Sequence, residues 1–278
     1  MRFRSIIARI SLYFVLIINS IIIITPLYLI IVNSLKNKKD MFTRNAMLLP
    51  TGIEVKNYTV FFQSSDNYLI HYRNSIFVAA TSIMILIILS SLCAYALATY
   101  KFPLNKVIYL IFIVGLFIPL RLGTINIAQI MIKLNLYDNL FSLVIIYIAS
   151  GLPFAIFILT DFMRLIPKEF SNAARIDGCS DIGIFVKIML PLVKPAIVTV
   201  TLFNLIWIWN DFWFPLILIK GKNLMTVPFA ASKYMGQYIT DYGAIYANLV
   251  MATIPLLLVY LFLSRYYLQG ITSGALKE

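Results

Sequence analysis

Two stretches of this chain exclude most soluble folds at once: residues 12–32 and 140–160 each run without a charged side chain. A helix rises about 1.5 Å per residue, so either stretch reaches across roughly 30 Å of bilayer hydrocarbon. Backbone groups in hydrocarbon must bond within the chain, so these runs are predicted as helices and not as open strands. Residues 75–98, 107–131, 196–219 and 243–264 are also long and apolar enough, the run at 107–131 being broken by Pro119, Arg121 and Gly123 and that at 196–219 holding Asp211. The expectation is an all-α polytopic membrane protein with six transmembrane helices. A chain of 278 residues that is 61% hydrophobic and 12% charged fits no soluble class.

The net charge of +12 points first to nucleic acid, but the basic residues lie between the spans, where they set orientation and meet anionic lipid. No nucleic-acid partner is expected. With six spans both termini share a side. Residues 1–11, 99–106, 164–195 and 265–278 carry twelve Lys and Arg against eleven opposite. Short connections, and Arg2, Arg4 and Arg9 before the first span, place that first set in the cytoplasm.

Chemistry is sparsely supplied. Cys93 and Cys179 are isolated, His71 is the single histidine, and no Gly-x4-Gly-Lys-Ser/Thr phosphate loop occurs. No catalytic residue, metal site or bound cofactor is expected in this chain.

The polar interruption at 164–195 is the most structured stretch. Pro167 suits a helix start, and Phe170, Ala173, Ala174 and Ile176 recur at helical spacing. Asp177-Gly178 stops that helix, and Ser180 is placed to cap a second one, with Pro191 and Pro195 at the exit. A helix, a glycine turn and another helix, faced with small side chains, make a docking surface.

Asn172-Ala173-Ala174-Arg175-Ile176-Asp177-Gly178, followed by Ile188-Met189-Leu190-Pro191, resembles the "EAA" loop of ABC importer permeases. Asn172 replaces the Glu usual there, and Cys179 follows the glycine where that family has Ala. Trp209-Asn210-Asp211-Phe212 with Thr226-Val227-Pro228, and the ending Gln269 to Lys277, resemble the carbohydrate branch of the same family. The resemblance implies a type I ABC importer permease fold in a bacterial cytoplasmic membrane. It implies as partners a second homologous permease, two ATP-binding subunits holding ATP and Mg, and an extracytoplasmic solute-binding protein. Asn172, Ala173, Ala174, Asp177 and Gly178 become the expected ATPase-coupling residues. Residues 1–73 are then the N-terminal end, first span and outer segment; 74–265 the core; and 266–278 a cytoplasmic tail.

Arg121, Asn204, Trp207 and Asp211 are candidates for the solute path. Arg121 falls within a span, either as a cavity guanidinium or as an anchor that reaches to headgroups or pairs with another helix. Asn204, Trp207, Asp211 and Pro215 fall at offsets of one helical face, suited to stacking on a sugar ring and holding hydroxyls, or to interfacial anchoring. The excess of basic residues over Asp40, Glu54, Asp66, Asp138 and Asp241 in the outer segments leans toward an acidic solute. A stand-alone secondary transporter is the alternative, but Asp161 and Asp211 sit near span ends, where ion-coupling carboxylates are not expected.

Overall fold

The computed structural model describes residues 2–63, 68–234 and 241–275; Asp66 and Lys277 lie outside the described residues. Every regular element among them is a helix. In chain order these are α1 (Arg2–Ser34), α2 (Lys38–Thr43), α3 (Lys56–Gln63), α4 (Leu69–Thr99), α5 (Asn105–Gly115), α6 (Thr124–Lys133) and α7 (Leu140–Arg164). They continue as α8 (Lys168–Ile176), α9 (Asp181–Leu192), α10 (Lys194–Asn210), α11 (Trp213–Leu218), α12 (Val227–Ala230) and α13 (Tyr242–Ala275). Parts of α1, α4, α7 and α13 are each long and apolar enough to cross a membrane, and two bent pairs, α5 with residues 120–133 and α9 with α10, bring the number to six if each is one span.

The chain divides into two compact units, residues 1–69 with 230–255, and residues 70–229 with 256–278. In the first, α1 carries exposed apolar side chains along most of its length, as suits a helix in lipid. Its 35–63 segment folds around buried polar groups. Lys36 donates to the carbonyls of Asn45 and Ala46 at 3.1 and 3.0 Å, and the Asp40 carboxylate accepts the Thr51 N–H and hydroxyl at 2.7 and 2.6 Å.

The second unit is built on α4, α7 and α10. Small residues on α4 (Ser82, Ser90, Ser91 and Ala94) are all buried, which lets the helices approach closely. One apolar core gathers Val78, Leu143, Tyr147, Trp209 and Phe214; another gathers Leu86, Leu159, Ile184, Phe185 and Ala196.

Two spans are not single helices. The run at 107–131 breaks after Gly115 and bends by 81° before its second half resumes. The run at 196–219 ends its first helix at Asn210 and restarts at Trp213. Each break falls four residues before a proline, Pro119 after Gly115 and Pro215 after Asp211. Proline has no N–H to give the carbonyl four residues back, and its ring collides with that carbonyl. Asn204, Trp207, Asp211 and Pro215 therefore do not share one continuous helical face, because Asp211 is already extended at φ −70° and ψ 125°. The last helix also runs past 264 to Ala275.

Candidate functional site

The 164–195 segment is held by local bonds. Pro167 is the residue before α8, not its first turn, at φ −57° and ψ 135°. At the other end Gly178 takes φ +79°, where a side chain would be strained. The Gly178 N–H donates to the Arg175 carbonyl at 3.1 Å and the Cys179 N–H to the Ala174 carbonyl at 2.9 Å. That pair of bonds is the Schellman arrangement, and it closes α8 sharply. Ser180 Oγ accepts the Gly183 N–H at 3.2 Å and so caps α9. Arg175 Nη2 lies 3.1 Å from Asp181 Oδ1 and ties the two helices across the turn.

The faces of α8 sort differently from the sequence expectation. Asn172, Ala173, Asp177 and Gly178 are exposed, beside Ile176 at 86% and Ile182 at 77% exposure. Ala174 is buried in the core of its own chain with Leu159, Ile184 and Phe185. Its small size seats α8 on the bundle. Phe170, expected beside it, is half exposed instead.

Deeper in the same unit lies a cavity of about 590 Å³ at the break of the third span. Arg121, from one span, and Asn204 and Trp207, from one face of another, line it together, with Ser150 and the facing rings of Phe154 and Phe203, 4.2 Å apart. Trp207 packs edge-on against Tyr147 at 5.6 Å between centroids. Asn204 is buried and donates to the Val200 carbonyl at 2.9 Å.

Asp211 stands behind this cavity and is not one of its lining residues. Its carboxylate accepts the Tyr147 hydroxyl at 2.9 Å and the Trp213 and Phe214 N–H groups at 3.3 and 3.2 Å, which caps α11. Arg121 Nη2 lies 3.8 Å from its Oδ1. A charge-bearing side chain at a cavity edge, aromatic walls and one buried amide suit a polar solute with ring faces.

Two further residues, Gly151 in the cavity wall and Tyr147 beside Asp211, were not picked out from the sequence. A Cβ on Gly151 would collide with Asn204 Oδ1, so any larger residue there must displace the Asn204 side chain. Tyr147 orients Asp211. The signal for the first was a Gly-x-Pro interruption, Gly151 to Pro153, in an otherwise apolar span. Nothing in the sequence marked Tyr147. Among the described residues no group of three His, Cys, Asp or Glu is placed to hold a metal.

The model of the family described as "binding-protein-dependent transport system inner membrane component" matches residues 90–273. A putative ABC transporter permease protein from Caldicellulosiruptor sp. is 34% identical, over 91% of this chain and 91% of that one. A probable starch degradation products transport system permease from Thermoanaerobacterium thermosulfurigenes is 32% identical, over 96% of each. In fold, the chain is similar to one in the crystal structure of a bacterial ABC transporter involved in the import of the acidic polysaccharide alginate. That match has a TM-score of 0.83 at 24% identity and covers 94% of this chain and 96% of the other.

Proposed function

The chain belongs to the binding-protein-dependent transport system inner membrane component family and is a permease subunit of an ABC importer, and we propose that its solute is an oligosaccharide, preferentially an acidic one. The role is transport; ATP with Mg is bound and hydrolysed by separate subunits. Two such subunits, a second permease and an extracytoplasmic solute-binding protein complete the transporter in a bacterial cytoplasmic membrane. Both termini of this chain then face the cytoplasm.

The observation that carries the solute reading is the meeting of Arg121, Asn204 and Trp207 at one aromatic-walled cavity. Trp207 offers a ring edge and face to sugar C–H groups, the Asn204 amide takes a hydroxyl, and the Arg121 fork takes a carboxylate. A relative described as a probable starch degradation products permease and a fold neighbour from a transporter involved in alginate import make oligosaccharides the first substrates to try.

Coupling follows from how α8 is mounted. An ATPase subunit seated on Asn172, Ala173, Asp177 and Gly178 would push a helix that the Arg175–Asp181 pair locks to α9. Ala174, Ile184 and Ala196 share one core, so the push passes into the start of α10. Asn204 lies ten residues further, about 15 Å along that helix. Movement of α10 as a rigid body then opens or closes the cavity wall.

The test is uptake into proteoliposomes holding the assembled transporter, with neutral and uronic-acid oligosaccharides of equal length. Arg121→Gln is expected to raise the half-saturation concentration for the acidic series about tenfold, the loss of one charged hydrogen bond of roughly 1.5 kcal/mol. Arg121→Lys restores it in part, because the planar fork is missing. Equal effects on both series would sink the acidic preference, and transport of neither would sink the oligosaccharide reading.

A further inference from the structure

We propose that a second cavity, between the α4–α5 turn and the start of α8, binds the phosphate headgroup of an anionic phospholipid. It has a volume of about 500 Å³ and is bordered by Lys101, Lys106 and Lys168, with no Asp or Glu among its lining residues. Among the described residues none of these three lysines has an ion-pair partner; the pairs are Arg121–Asp211, Arg164–Asp161 and Arg175–Asp181. The proposal rests only on the chain spanning a membrane, and neither the solute nor the docking partner enters it.

The local backbone sharpens the charge. Lys106 is the second residue of α5 and Lys168 the first of α8, and neither helix has a side-chain cap at that end. Helix N-termini carry a partial positive charge that ordinarily draws carboxylates. Here two such ends bring lysines to one cavity, and Glu169, in the first turn of α8, is not part of its lining. A phosphate in this cavity would meet ammonium groups and no carboxylate.

The turn that shapes the cavity is fixed. Asn105 Nδ2 donates to the carbonyls of Leu97 and Tyr100 at 3.2 and 3.0 Å, and Leu104 is held at φ +67°. A non-glycine residue in that region marks a turn its surroundings hold in place. Phe102, Leu104 and Val107 border the same cavity and are exposed, as are Leu110 and Ile111 further along α5. The turn directly follows the end of the α4 span at Thr99, where a helix that crosses a bilayer meets the headgroups. Basic headgroup contacts beside an exposed apolar helix fit a diacyl lipid and not a free anion.

The test takes the assembled transporter in mild detergent with equimolar phosphatidylglycerol and phosphatidylcholine of matched chains, and reads retained lipid by native mass spectrometry. Selective retention of phosphatidylglycerol is expected, undisturbed by millimolar inorganic phosphate. Lys101→Gln with Lys106→Gln is expected to weaken it ~30-fold, at roughly fivefold for each lysine near an anionic surface. If the double variant fails to assemble, each single variant, both at exposed positions, is expected to lose about fivefold. Equal retention of the two lipids, or unchanged retention in the variants, overturns the proposal. So does displacement by inorganic phosphate, which would make a free anion the ligand.

Discussion

Arg121 and Asp211 face each other across 3.8 Å, one beyond the break in the third span and the other at the break in the fifth. Their burial is opposite: the Arg121 side chain is 64% exposed and that of Asp211 is 2% exposed. The carboxylate is held by three other donors and the guanidinium is free to leave it, so the two residues should fail differently.

Asp211→Asn is expected to cost about 1–3 kcal/mol of stability, since the Tyr147 hydroxyl and the Phe214 N–H share one oxygen that an amide nitrogen would replace. Arg121→Gln should cost less than about 1 kcal/mol, because a long, exposed ion pair is screened. Thermal unfolding of the purified transporter separates them. Equal losses would mean that the pair, and not the cap on α11, holds the break.

Gly151→Ala is expected to destabilise the permease by about 1–3 kcal/mol through overpacking against Asn204 and Leu86. Asn204→Ala in the same chain should recover part of that loss, and a double-mutant cycle on melting temperature measures the coupling. Strict additivity would show that α7 and α10 do not meet at this point.

Ala173 and Ala174 are neighbours with opposite duties. Ala174→Leu should destabilise the permease itself, by about 1–3 kcal/mol, because the side chain enters its own core. Ala173→Leu, exposed, should leave melting unchanged and weaken co-purification of the ATPase subunit. Reversed results would put the docking face on the other side of α8.

At Gly178 a Cβ meets nothing within 4 Å, so substitution there tests backbone strain alone. Alanine at φ +79° should cost about 1–2 kcal/mol and asparagine less, as it accepts the left-handed region more readily. Solute-stimulated ATP hydrolysis should fall in the order Gly, Asn, Ala. A flat series would mean that the sharp end of α8 is not needed for coupling.

The 35–63 segment should be acid-sensitive. The hydroxyl and N–H of Thr51 hold the Asp40 carboxyl below its ordinary value of 3.8. A depressed carboxylate contributes stability above the unfolded value and loses it as pH falls through the folded one. Proteolysis of this segment should therefore accelerate below about pH 3.8, a response that Asp40→Asn abolishes. An unchanged profile in that variant would assign the acid response to another group.

The sequence by itself determined the all-α membrane architecture, because long apolar runs have no other way to satisfy their backbone in lipid. It also determined the stop of α8 and the cap of α9, since Asp177-Gly178 and Ser180 act through bonds to residues within a few positions. Tertiary structure alone decided which prolines break their helices. Pro119 and Pro215 do, whereas Pro153 sits inside α7, its ring against Gly115. The missing N–H is common to all three; at Pro215 the Asp211 carboxylate, held by Tyr147 of α7, takes the first N–H groups of the restarted helix, while α7 runs on through Pro153. Tertiary structure also turned Ala174 inward and brought Arg121 to Asp211 over ninety positions of chain. Helical spacing fixes which residues share a face, but what that face meets is fixed only when the helices pack.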